Sequence, residues 1–248
     1  MHHFFVSPDR VDLEENKIFI GGCDVNHIKN VLRMKQGESL LISDGNGNDY
    51  ICELEIMGNE KLVAGIRRQS FEGTELPAKI YLFQGLPKSD KMEMIIQKAV
   101  ELGVYEIIPV KTARTVVKLD SKKEESRLKR WCSIAESAAK QSRRSIIPQV
   151  SRIMSFQEAV QYAQRFELNM IPYENYKDMA ATKSMIQRVE KGMNIGIFIG
   201  PEGGFAEEEI AYATQHQLER ISLGRRILRT ETAGLMIVSV IMFRLENL

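Results

Sequence analysis

Three stretches in the C-terminal half of the chain place glycine, proline and charged residues directly after apolar, strand-like runs. They are Asn169-Met170-Ile171-Pro172-Tyr173-Glu174, Ile199-Gly200-Pro201-Glu202-Gly203-Gly204, and Leu223-Gly224-Arg225-Arg226-Ile227-Leu228-Arg229-Thr230-Glu231-Thr232-Ala233. Gly200, Gly203, Gly204 and Gly224 let the backbone approach a ligand closely and take positive φ. One loop of this kind is commonly just a tight turn; three at successive strand ends point to a site. The 200–204 loop has neither the G-x-G-x-x-G dinucleotide pattern nor the lysine of a Walker A loop, and its charged residue is Glu202. A pyrophosphate would be poorly held there, whereas a cationic sulfonium beside backbone groups would not. Backbone groups of Leu223-Gly224 and Ile227-Leu228 suit an adenine ring. That is compatibility with a sulfonium cofactor; these residues alone leave the cofactor open.

Ligands of a parallel sheet collect outside the carboxyl ends of its strands, so these loops need such a sheet beneath them. From residue 73 onward the texture supplies one. Strands are expected at 78–84, 104–110, 168–172, 194–199 and 220–223, alternating with helices. A helix over 91–102 starts with Asp90 and Glu93 and carries an apolar stripe of Met92, Ile95, Ile96, Ala99 and Leu102. Ser121 with Glu124 opens a long helix, and Ser155 with Glu158 opens another. Residues 1–72 read differently. Short strand-like segments at 17–20, 39–43, 50–56 and 61–66, an Asp44-Gly45-Asn46-Gly47-Asn48 hairpin loop and one helix near 25–34 suggest a small barrel. The expected division is a β domain over 1–72 and an α/β domain over 73–248.

Bulk properties restrict the partners. The net charge is only +1, so any nucleic-acid surface must be local. Basic residues gather at His2, His3, Arg10, Lys29, Arg33 and Lys35 in the first part. In the second they are Lys88, Lys91, Arg114, Lys118, Lys122, Lys123, Lys140, Arg143 and Arg144. Many of these solvate helices, but Arg10, Arg33, Arg114 and Arg144 fall beside loops or element ends, where phosphate contacts form. Cys23, Cys52 and Cys132 have no disulfide or zinc spacing, and His27 has no second histidine at ligand spacing. No metal is expected. The start lacks a signal-peptide stretch, and the apolar run at 235–243 is too short to span a bilayer. A soluble cytoplasmic protein is expected.

The chain also resembles a known family nearly end to end. The matching residues include Phe4-Phe5, His27-Ile28-x-x-Val31-Leu32-Arg33, Leu86-Pro87-Lys88-x-Asp90-Lys91 and Gln97-Lys98-Ala99-x-Glu101-Leu102-Gly103. Arg130-Trp131, Ala138-Ala139-x-Gln141-Ser142-x-Arg144 and Ile147-Pro148 match as well. The most specific are Ile199-Gly200-Pro201-Glu202-Gly203-Gly204-Phe205 and Leu223-Gly224-x-x-Ile227-Leu228-Arg229-x-Glu231-Thr232-Ala233. These motifs resemble the RsmE family, which methylates N3 of one uridine in 16S ribosomal RNA and belongs to the SPOUT superfamily of methyltransferases.

The resemblance implies a PUA-like N-terminal β-barrel for RNA docking and a C-terminal SPOUT-type trefoil-knotted α/β domain. It implies S-adenosylmethionine as cofactor, 16S ribosomal RNA of the small subunit as substrate, and a homodimer with active sites near the subunit interface. Cofactor contacts are expected from Glu174, Ile199, Gly200, Pro201, Gly203, Leu223, Gly224, Ile227, Leu228 and Thr232. RNA contacts are expected from Arg10, Lys29, Arg33, Lys35 and Arg144. For the chemistry, Arg229 is the first candidate to face the uridine oxygens and Arg114 the second. Glu202 is a candidate proton acceptor, or else a brace that holds its loop through backbone N–H groups. Methylation of another base or a ribose 2′-oxygen, and a non-enzymatic role in ribosome assembly, are the competing readings.

Overall fold

A computed structural model describes residues 1–58, 60–70, 73–117 and 120–247. Glu72, where the expected domain boundary falls, and Lys118 of the basic cluster lie outside the described residues. The chain forms two compact units, Met1–Glu75 with Ala139–Ile147, and Leu76–Ala138 with Pro148–Leu248.

In the first unit, β1 (His2–Phe5), β2 (Val11–Asp12), β3 (Lys17–Gly21), β4 (Ser39–Ser43), β5 (Asp49–Met57) and β6 (Lys61–Ser70) form one sheet. Its order is β1-β4-β5-β6-β3-β2, antiparallel except for the β1–β4 pair. Alternation along the strands buries Ile18, Ile20, Leu40, Ile42, Leu54 and Leu62 in a single core. The β4–β5 loop is closed by Asp44, whose carboxylate accepts the Asn46 and Asn48 N–H groups at 2.8 and 3.1 Å. Where one helix is expected at 25–34, a single turn, α1 (Cys23–Asn26), widens into a π-turn over His27–Val31. It stops at Arg33, whose φ is 54°.

The stretch Ala139–Ile147 joins this unit through buried polar pairs that no local pattern announces. Ser145 Oγ donates to Asp49 at 2.6 Å, and the Glu75 carboxylate receives both the Arg144 guanidinium and the Ser145 N–H. Arg144 is only 3% exposed. This corrects the expectation of a phosphate contact: a buried guanidinium neutralised by its own carboxylate has nothing left to offer an RNA backbone.

The second unit contains β7 (Lys79–Gly85), α2 (Lys91–Glu101), β8 (Glu106–Lys111), α3 (Ser121–Ser142, its last turn counted with the first unit), β9 (Gln149–Val150) and β10 (Met154–Ser155). Then follow α4 (Phe156–Ala163), β11 (Leu168–Pro172), α5 (Met179–Gln187), β12 (Asn194–Ile199), α6 (Glu207–Gln215), β13 (Glu219–Ile221) and α7 (Thr230–Glu246). The sheet runs β10-β8-β7-β12-β11-β13, with β9 also on β8, and every pair is parallel. Its central strands β7 and β12 are buried almost throughout, and Phe83 stacks on Phe198 with centroids 4.2 Å apart. Ser155 and Glu158 form the expected capping box. The cap of α3 is instead Asp120, which accepts the Lys123 N–H at 2.9 Å. Asp90 makes no side-chain cap, and Glu93 pairs with Arg130. Strand β13 is shorter than expected because Leu223-Gly224 leave the sheet to line a cavity at its carboxyl edge.

Candidate active site

The carboxyl ends of β11, β12 and β13 surround one cavity of about 350 Å³ in the second unit. The three stretches singled out in the sequence all line it, through Glu174, through Ile199, Gly200, Pro201 and Glu202, and through Leu223, Gly224, Ile227, Leu228 and Arg229. Gly204 and Gly224 have φ of 66° and 105°, the left-handed geometry that glycine tolerates. Gly200 and Gly203 do not; a Cβ on Gly200 would stand 3.0 Å from the Gly204 backbone, so its smallness serves close packing. Beneath the loop a Cβ on Gly85 would lie 2.6 Å from the Pro201 nitrogen.

A buried relay ties the C-terminal helix to this loop. Gln84, fully buried at the end of β7, donates to Thr230 Oγ1 at 2.9 Å, and Thr230 Oγ1 donates to the Gly200 carbonyl at 2.6 Å. Thr230 is the first residue of α7, so the relay fixes the start of that helix and the direction of one loop carbonyl together. Lys91 adds a second tie. Its ammonium lies 3.1 Å from Glu202 and 3.5 Å from Glu231, joining α2, the 200–204 loop and α7.

Glu202 is therefore a brace. Its carboxylate accepts the Lys88 N–H at 3.0 Å besides meeting Lys91. Burial pushes its carboxyl up, but its own backbone N–H, the Lys91 ammonium and the Lys88 N–H outweigh that and hold it below the ordinary glutamate value. A carboxylate so stabilised is a weak base, which favours the brace over the proton-acceptor role. Arg229, just before α7, is exposed on the cavity wall with Arg225 and Arg226. Ile227 beside them is 85% exposed. Among the described residues no group of three or more His, Cys, Asp or Glu is placed to hold a metal ion, and no helix is long and apolar enough to cross a membrane.

A sequence profile described as an RNA methyltransferase domain matches residues 74–242, and one described as an RNA methyltransferase PUA domain matches residues 20–67. The Ribosomal RNA small subunit methyltransferase E of Bacillus subtilis (strain 168) is 38% identical over 252 aligned positions, which cover 100% of this chain and 98% of that one. The chain belongs to the RsmE family. The protein of the same name from Mesomycoplasma hyopneumoniae (strain 232) is 31% identical, covering 96% and 98% of the two chains. A crystal structure of a Ribosomal RNA small subunit methyltransferase E from Neisseria gonorrhoeae bound to S-adenosyl methionine superposes with a TM-score of 0.82 at 29% identity, covering 98% of this chain and 97% of that one. The mixed α/β class with a PUA-like first part, read from the motifs, is thus the fold of an RsmE protein.

Within this RsmE-family site the expected residues sort by position. Gly203 and Thr232 are not among the lining residues, and neither is Arg114. Arg114 instead reaches the loop from outside, donating from Nη1 to the Gly203 carbonyl at 2.8 Å. Arg10, Lys29, Arg33 and Lys35 all belong to the first unit. The Arg10 guanidinium lies over Gly21, Lys29 Nζ is half-buried against the Gly58 carbonyl at 3.1 Å, and Arg33 and Lys35 are exposed. Sequence reasoning missed Tyr173, Ser222 and Phe205 as lining residues, although each adjoins a named one. It also missed Gln84, whose signal was a polar side chain closing an otherwise apolar strand.

Proposed function

We propose that this protein transfers the methyl group of S-adenosylmethionine to N3 of a uridine in 16S ribosomal RNA of the small ribosomal subunit, in the cytoplasm. The observation that carries the reading is the convergence of three strand ends, one bearing Glu174, one the 200–204 glycine loop and one Gly224 with three arginines, on one cavity of a size suited to a small ligand. The residues present fit the cofactor. Ile199, Leu223, Leu228 and Ala233 offer apolar walls, the loops offer backbone donors and acceptors, and Glu174 offers a carboxylate for ribose hydroxyls. When bound, S-adenosylmethionine supplies an electrophilic methyl group on a sulfonium.

The chain's own residues do the rest. Uridine N3 lies on the pairing edge, so the base must be unpaired or turned out of its stack. Its imide proton must be lost before the nitrogen attacks, and the Arg229 guanidinium would stabilise the resulting anion at O2 or O4. With Glu202 committed to its brace, the proton leaves to solvent at the cavity mouth. The homodimer and the trefoil knot belong to the same proposal. The knot is supported by α7, which follows edge strand β13 yet packs against α2 and the central strands β7 and β12. The dimer is supported by an exposed apolar stripe on α7 that includes Met236 and Phe243.

The test is the variant Arg229→Ala. Calorimetry should give a cofactor affinity within about threefold of the parent, while the single-turnover methyl-transfer rate falls by about 10²-fold or more. Equal losses in both would remove Arg229 from the chemistry.

A further inference from the structure

We propose that Glu209 is a positioning residue that locks the turn carrying Arg114 onto the glycine loop of the cavity; this rests on the methyl-transfer reading above. Glu209 stands at the third position of α6 and is 8% exposed. One oxygen, Oε2, accepts the Ala206 N–H at 2.9 Å, an ordinary reach back to the start of its own helix. The other, Oε1, accepts the Ala113 N–H at 2.8 Å, 96 residues away in the turn that follows β8. Helix capping needs only the first of these bonds. The second joins the first turn of α6, which follows the loop after β12, to the turn after β8.

The turn so held is itself closed. The Thr115 N–H donates to the Thr112 carbonyl at 3.1 Å, and the Thr112 N–H donates to Thr115 Oγ1 at 2.9 Å. Arg114 projects from it and donates to the Gly203 carbonyl at 2.8 Å. The turn is therefore held at two places, Ala113 by Glu209 at the start of α6 and Arg114 by the Gly203 carbonyl of the loop. Arg114 is exposed and outside the cavity lining, so its guanidinium stands on the outer side of the glycine loop, and in this proposal it serves the RNA and not the cofactor. A carboxylate is required at residue 209 because both partners are donors. An amide would present an N–H to one of them.

The experiment uses Glu209→Gln in the full chain, with Arg114→Ala and the double variant. Hydrogen exchange at the Ala113 amide should accelerate by about tenfold or more, the effect of losing one charge-assisted bond. Cofactor affinity should stay within about threefold. Single-turnover transfer should slow by about tenfold, and the double variant should be no slower than Arg114→Ala alone, because both act through one contact. Unchanged exchange at Ala113, an unchanged transfer rate, or losses that multiply in the double variant would each overturn the proposal. Glu209→Asp keeps the charge but is too short to span both donors. It should reproduce the faster exchange at Ala113, and it replaces the glutamine variant if that one folds poorly. Exchange is read without methyl transfer. An inactive parent protein would therefore defeat the functional reading while still reporting on the brace.

Discussion

Glu202 shows how a residue type can suggest one chemistry and its surroundings another. A glutamate in a glycine loop beside a reacting imide invites the role of base. The Lys88 N–H and the Lys91 ammonium claim its oxygens instead, and they hold its carboxyl charged. Glu202→Gln should therefore leave the pH dependence of single-turnover transfer unchanged. It should weaken cofactor binding by roughly tenfold, since a hydrogen bond to a charged group contributes roughly 1.5 kcal/mol. Loss of the base limb of the pH profile with cofactor affinity intact would restore the catalytic role. Arg144 carries the same lesson in reverse: its position next to a loop suggested RNA, and its burial against Glu75 makes it a structural ion pair.

At the scale of elements, much was legible because the determining signals are local. Short strand-like runs gave β3, β4, β5 and β6 but not β1, apolar runs gave β7, β11 and β12, and Ser155 with Glu158 gave the start of α4. What stayed hidden depends on partners far away in the chain. The Ala139–Ile147 stretch is claimed by Asp49 and Glu75, and the start of α7 is fixed by Gln84, 146 residues earlier. The two-residue strands β2, β9 and β10 are too short to carry a period. One element carries a consequence for assembly. Met236, Val240 and Phe243 recur on one face of α7, Phe243 is 69% exposed, and Met94 of the adjoining α2 is exposed as well. Such a stripe suits a second copy of the chain. Phe243→Glu should convert a species of twice the chain mass into one of 28.3 kDa in analytical ultracentrifugation. A parent protein that sediments as a monomer would contradict the dimer.

For the whole molecule, the near-neutral net charge of +1 sets the terms of RNA binding. Affinity must come from a few placed cations, and in the first unit the exposed candidates are Arg10, Arg33 and Lys35. Arg10→Ala or Arg33→Ala should weaken RNA binding and lower the salt slope by about one unit each, leaving cofactor affinity unchanged. An unchanged slope would place docking elsewhere.

The central claim is tested most directly by supplying labelled S-adenosylmethionine to small ribosomal subunits that lack the modification and identifying the methylated nucleoside. The expected product is 3-methyluridine at one site. A ribose-methylated nucleoside or a different methylated base would contradict the assigned target, and absence of any transfer by a protein that binds the cofactor would contradict the substrate itself.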